Sequence, residues 1–349
     1  MKTTGKDKMI WQIDIMILTL IVICGLFAIS VKDLLGAAVV FGAYSFLMCL
    51  LWTEMGAVDV AFTEAAVGAG VSTVLFFAAV HRSSRQVKAR VSGAMLYKGL
   101  GLLASGLMGG VLFYASTDFP DWADPASPAS SHLSPHFITQ TIAETSVPNI
   151  VTSVLADYRG FDTMFETAVV LTAGLAVLII LRLGGCRTAG PIREKNAAIQ
   201  AAYKDSIIRF VTRMVVPFMQ LFALYVVAHG HHSPGGGFQG GVILGASFIL
   251  LAISYDLKMA LNRINEKAAL LLANTGVLIY GGIGFLCLLL GANFLDYSIL
   301  HRILPATDEI AARSHAMLGV EIGVALTVMV IVMIIYNNIV SNGSYEKGL

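Results

Sequence analysis

The sequence predicts an all-α, polytopic membrane protein with about nine transmembrane helices, and three observations carry that expectation. The 349 residues are 56% hydrophobic and only 13% charged, with a mean hydropathy of +0.77, whereas a water-soluble domain carries about 25% charged residues. Apolar runs of roughly 20 residues, the length that crosses a bilayer, recur from end to end. Lys and Arg gather in a few polar intervals, 81–98, 182–213 and 258–267.

The first run, 11–31, is long enough to span and lacks the Ala-x-Ala site of a cleavable signal. Runs at 34–52, 57–80 and 94–115 follow. The interval 116–135 holds Pro120, Pro125, Pro128 and Pro135, which predicts an irregular loop. Ile150, Val151, Val154, Leu155 and Tyr158 then fall on one helical face, the pattern of a short amphipathic helix at the interface. The remaining runs are 161–181, 207–228, 238–256, 268–291 and 316–336. Backbone groups in lipid need internal partners, so each span is expected to be a helix. The polar linker 182–206 separates five predicted spans from four, and no internal repeat is visible.

The three basic intervals are expected on the cytoplasmic side. The segment 116–144 carries Asp118, Asp121, Asp124 and Glu144 but no Lys or Arg, and is expected outside. Nine spans then place the N-terminus outside, although Lys2, Lys6 and Lys8 oppose that orientation for the first helix.

Net charge is +1, so no basic field awaits nucleic acid. Cys24, Cys49, Cys186 and Cys287 stand far apart and form no CxxC pair, which argues against an iron–sulfur or structural zinc site. No nucleophile–base set, phosphate loop or metal cage is recognisable, so a non-catalytic chain without a cofactor of its own is expected.

What remains is ionisable residues inside apolar helices, each costing a few kcal/mol and so needing a partner or a task. Asp59 and Glu64 lie in the third run. Glu64 is either a member of an ion path or a neutral buried acid, with Lys98 as a possible partner. Asp162 and Glu166 are four residues apart at the start of the fifth run, on one face, with Arg159 close by. Two carboxyls so placed are expected to share a proton or hold a cation, which Arg159 opposes by favouring both ionised forms. Glu321 lies between Gly319 and Gly323 in the last run.

The stretch His229-Gly230-His231-His232-Ser233-Pro234-Gly235-Gly236-Gly237-Phe238-Gln239-Gly240-Gly241 divides two apolar runs. Pro followed by three glycines ends a helix and forces a tight turn, expected at the outer face. Glycines at 237, 241 and 245 then form a strip that another backbone can approach closely, and Gly106 and Gly110 begin a similar row. His229, His231 and His232 carry protons or bind a metal in other settings, but their spacing is loose and no acid adjoins them. A polar helix end or a point of ion access is the competing reading.

The run His229–Gly241 resembles the B subunit of Mrp-type multisubunit cation/proton antiporters, a domain shared with membrane-bound, energy-converting hydrogenases; the likeness covers about 205–340. Val58-Asp59-Val60-Ala61-Phe62-Thr63-Glu64-Ala65-Ala66-Val67-Gly68 resembles the D subunit of those hydrogenases over about 12–85, with Val58 where a Pro is common. Asn149-Ile150-Val151-Thr152, followed by Asp157-Tyr158-Arg159-Gly160-Phe161-Asp162-Thr163-Met164-Phe165-Glu166, resembles the hydrogenase E subunit, which is also the C-terminal part of the large A-type antiporter chain. Met164-Phe165 replace a usual Leu-Gly there.

The resemblance implies a fused chain. Residues 1–90 are D-like with three helices, 91–200 E-like with two helices and an interfacial helix, and 201–349 B-like with four helices. It implies a component of a cell-membrane module that exchanges Na⁺ for H⁺. Its expected partners are other Mrp-type and antiporter-like subunits and a hydrogenase-like or related redox arm. By motif position it points to Asp59, Glu64, Asp162, Glu166, Pro234 and Phe238; Glu321, His229 and Gly236 are added from the residues themselves. A structural scaffold that docks its neighbours without conducting ions is the alternative.

Overall fold

The computed structural model describes residues 5–83, 94–121, 124–184, 206–255, 257–304, 308–341 and 343. The linker 182–206, most of the basic interval 81–98 and Cys186 lie largely or wholly outside them. Among the described residues every regular element is helical, and nine helices are long and apolar enough to cross a membrane.

Helices α1 (Gly5–Ser30) and α2 (Leu34–Glu54) form a hairpin, with Asp33 capping α2 by accepting from Leu35 N–H. The third span, α3 (Val58–Arg82), opens into wide π-type turns over Glu64–Ser72. Helix α4 (Ala94–Ser116) has no buried residue in its span and packs extensively on no other described element. Gly99, Gly101, Gly106, Gly109 and Gly110 all face open space.

The expected irregular loop ends earlier than predicted. A wide turn at Ala129–Leu133 runs into α5 (Ser134–Thr145). Proline misleads here because Pro135 occupies the first turn of α5, where its missing N–H has no intrahelical role. Helix α6 (Ile150–Ser153) continues as a wide turn to Tyr158. Its small residues Thr152, Ser153 and Ala156 are buried, while Val151 and Leu155 face outward. Helix α7 (Gly160–Gly184) begins at once. Tyr280 Oη donates to Gly160 O (2.8 Å) and Tyr297 Oη to Ala156 O (3.1 Å), tying this junction to the C-terminal part.

That part consists of α8 (Ser206–His229), α9 (Gly237–Ser254), the short α10 (Leu257–Arg263), α11 (Glu266–Leu289) and α12 (Glu309–Ser341). Helix α12 is much longer than the predicted 316–336. It is the central helix, and two-thirds of its apolar span is buried by α3, α7, α9 and α11. Burial inside the bundle accommodates Asn337 and Asn338 at a depth where lipid would not.

The glycine strip packs as expected. A Cβ on Gly241 would lie 2.7 Å from Ala325 O, and one on Gly245 2.8 Å from Met329 O. Gly237 sits against Glu321 in the same way. Glycines every fourth residue on α9 therefore meet every fourth residue of α12, backbone against backbone. Gly240, on the other flank of α9, faces Ala223 O of α8 at 2.8 Å.

Candidate functional site

Helix α8 stops at His229 and α9 starts at Gly237; the turn between them holds Gly235 and Gly236 with φ of +152° and +133°. Those values suit glycine and strain other residues. The turn carries polar backbone groups that need partners, and two distant segments supply hydrogen bonds to them, while a third comes close. Asn149 N–H donates to His231 O (2.9 Å), Asn149 Nδ2 to Gly230 O (3.0 Å) and Ser233 O (3.1 Å), and Thr152 Oγ1 to Gly230 O (2.8 Å). Asn149 also caps α6 by accepting from Val151 N–H at 3.0 Å. From α3, Asp59 Oδ1 accepts the Gly235 N–H (3.0 Å). From α12, the Glu321 carboxyl reaches the glycines of the turn. A Cβ on Gly236 would lie 3.2 Å from Glu321 Oε1, and one on Gly230 3.3 Å from Oε2.

Glu321 is 8% exposed, and its Oε2 is buried without a hydrogen-bond partner. Gln239, also 8% exposed, donates Nε2 to Thr63 Oγ1 (2.7 Å), bonding α9 to α3. Phe238 packs against the apolar core and Pro234 is exposed. The histidines diverge in role. His229 stacks on Tyr225, with ring centroids 4.9 Å apart, and lies 5.6 Å from His232. His231 is half-buried with Nε2 unpartnered, and burial, then the charges of His232 and His315, holds its imidazole below the ordinary range. Among the described residues no three His, Cys, Asp or Glu side chains converge as a metal site.

The other predicted acids lie apart from this turn. Glu64 begins the wide turns of α3 and folds over Gly68, beside Ser45 of α2. Lys98 is exposed on α4. Asp162 is ion-paired with Arg159 at 2.6 Å, and Glu166 on the same helix stays within its electrostatic reach. Glu166 is exposed on the outward side of α7.

A buried ion pair escaped the sequence reading. The Asp157 side chain is 6% exposed and meets Arg313 of α12 at 2.5 Å. Burial holds Asp157 above the ordinary carboxylate range despite Arg313. Arg313 also lies over the Tyr158 ring, and Tyr158 Oη donates to Glu144 at 2.5 Å. Burial and that bond push the Tyr158 hydroxyl up to about 12.

Comparison with known proteins assigns these segments. Residues 207–334 match a domain related to the MnhB subunit of Na⁺/H⁺ antiporter, 19–85 match the D subunit of MBH, and 119–190 match the E subunit of MBH. The B subunit of the Na⁺/H⁺ antiporter of Bacillus subtilis (strain 168) is 32% identical over 130 residues, 36% of this chain and 90% of that protein. The chain belongs to the Mrp-type antiporter subunit family. This Mrp-type chain is also 22% identical to the A/B subunit of a probable K⁺/H⁺ antiporter of Rhizobium meliloti (strain 1021). The match runs over 338 residues and covers 90% of the chain but 33% of that relative. The solved Mrp complex from Dietzia sp. DQ12-45-1b shares the fold, with a TM-score of 0.69 at 24% identity, over 97% of this chain and 35% of the matched one. The chain thus spans about a third of these larger relatives, and joins D- and E-like segments to a B-like domain.

Proposed function

We propose that this chain is a non-catalytic subunit of a Mrp-type module that exchanges Na⁺ for H⁺ across the cell membrane. Residues 1–90, 91–200 and 201–349 act as its D-like, E-like and B-like parts. The observation that carries the reading is the turn at 230–236. Asp59 from the first part, Asn149 and Thr152 from the second and Glu321 from the third all meet there. A turn tied to all three parts can couple movement in one to the protonation of acids in another.

Asp59, Glu64, Asp162, Glu166 and Glu321 are the proposed ion-handling groups. His229, Pro234, Gly236 and Phe238 shape the turn and ion access at the outer face. Glu166, free of the Arg159 pair and outward-facing, acts with a neighbouring subunit, while Asp162 serves it as an accessory group. The partners are antiporter-like subunits, with a hydrogenase-like redox arm as the coupled element. The open glycines of α4 fit close helix contact with such neighbours.

The test is Na⁺-driven pH change in proteoliposomes holding the purified complex. Glu166→Gln is expected to abolish exchange while the complex stays assembled, and Glu166→Asp to retain part of it. Full exchange by both Glu64→Gln and Glu166→Gln complexes would favour the scaffold alternative.

A further inference from the structure

The structure places a neutral amide oxygen and a buried carboxyl on the same small space. Thr63 Oγ1 donates its one proton to Asp59 O (3.0 Å), so toward Gln239 it can only accept. The Gln239 atom facing Thr63 is therefore the amide nitrogen, and Oε1 is turned away. Oε1 lies 3.7 Å from where a side chain on Gly236 would begin, and Glu321 Oε1 lies 3.2 Å from that same point. Gly230 and Gly236 border the Glu321 carboxyl, and Gly237 packs against its backbone.

The two oxygens flank one point, so an ionised Glu321 would bring two acceptors to it with no donor of their own. A protonated Glu321 offers a donor toward Oε1, and carries no charge on a carboxyl whose Oε2 is buried without a partner. Among the described residues, the titratable groups around Glu321 are Asp59 on α3, His231 in the turn and Tyr280 on α11, with His315 of α12 exposed beyond His231. No Lys or Arg is among them to neutralise a carboxylate. The ionised form is still reachable, because the first N–H groups of α9 lack intrahelical partners and the helix dipole favours negative charge there.

We propose that Glu321 is a proton-exchange site in a glycine-walled chamber, and that Gln239, held by Thr63, is the acceptor that keeps the proton on it. In the step, the Glu321 O–H bond breaks and the proton passes to a water, leaving carboxylate and hydronium; reloading reverses it. This rests on the ion-translocation reading above and assigns the proton, not Na⁺, to Glu321.

The test uses the assembled complex in proteoliposomes, with Na⁺-driven pH change and infrared pH-difference spectra. Glu321→Gln is expected to abolish exchange and remove a protonated-carboxyl band. Gln239→Leu removes the acceptor and is expected to move the pH midpoint of exchange about 0.4–1 unit toward acid, with half-saturating Na⁺ unchanged and the band shifted. Wild-type exchange by Glu321→Gln with the band retained overturns the proposal. So does a Gln239→Leu complex that needs more Na⁺ at an unmoved pH midpoint, which would make the chamber a cation site. If Glu321→Gln does not assemble, Gln239→Leu decides. An active Glu321→Gln beside an inactive Glu166→Gln sinks this assignment alone; activity in both, and in Glu64→Gln, sinks the broader reading.

Discussion

Replacing Gly241 by Ala tests whether the α9–α12 seam holds the C-terminal part together. The new Cβ would lie 2.7 Å from Ala325 O and 2.9 Å from Ala325 Cα. Both are backbone atoms of a helix that is itself packed on several sides, so no rotamer change relieves the clash. Relaxing the contacts to van der Waals distance needs a separation of about 0.5–1 Å, which would also loosen the contacts of Gly237 and Gly245 on the same strip. Overpacking of this kind costs about 1–3 kcal/mol. Ala also favours a helix over Gly by about 1 kcal/mol, which would mask part of the loss. Gly281→Ala supplies the reference, since Gly281 lies in α11 with nothing within 4 Å of its Cβ position. The helix-propensity gain is common to both variants, so their difference isolates the clash. Gly241→Ala is expected to be less stable than Gly281→Ala by about 1–3 kcal/mol, read as a lower melting temperature of the detergent-purified complex. Equal melting temperatures would refute close backbone contact at this seam.

Asn149→Ala removes two hydrogen bonds to the turn and the cap of α6, a loss of about 2–4 kcal/mol; faster amide hydrogen exchange at 230–236 checks it, and unchanged protection counts against the stitching role. Gly236→Leu forces a side chain into a left-handed backbone against Glu321 and is expected to block assembly. Pro234→Leu, at an exposed position, is expected to cost only about 1 kcal/mol; native recovery of the Gly236 variant would contradict the assigned geometry. Arg313→Gln leaves Asp157 buried and unpaired, at about 3–5 kcal/mol. Its deficit depends on pH. Asp157 already binds its proton more tightly folded than unfolded, and losing Arg313 strengthens that preference. Stability therefore falls as pH rises through the folded-state value, and the variant complex is expected to survive better at pH 5 than at pH 8; a pH-independent deficit would refute this.

The helices were legible because lipid leaves the backbone little choice, and the strip Gly237, Gly241, Gly245 announced a close contact without naming the helix it meets. The last helix is longer than its apolar run because polar residues at its ends, Arg313 and Asn338, read as non-membrane, whereas the bundle takes them up. The loop before α5 was read as irregular because Pro135 breaks a helix interior but not a first turn.

The candidate site was legible as residues and not as an arrangement. Asp59, Glu321 and the turn stood out singly, since carboxylates and glycines in apolar runs are costly and conspicuous. What joins them does not stand out, because Asn149, Thr152, Thr63 and Gln239 act on backbone carbonyls or on one another, and uncharged polar residues raise no alarm in a hydropathy pattern. Asn149 caps α6 with Oδ1 and holds the turn with Nδ2, so the same amide that starts one helix fixes the end of another. The pairing expected of Asp162 and Glu166 is accompanied by an ion pair from Asp162 to Arg159. Four-residue spacing puts two side chains on one face, but it does not say which of several neighbours each will take. Arg159, three residues before Asp162 at the turn into α7, forms the stronger contact in water-accessible surroundings. Glu166 itself is exposed on α7, where the proposed neighbouring subunit would reach it.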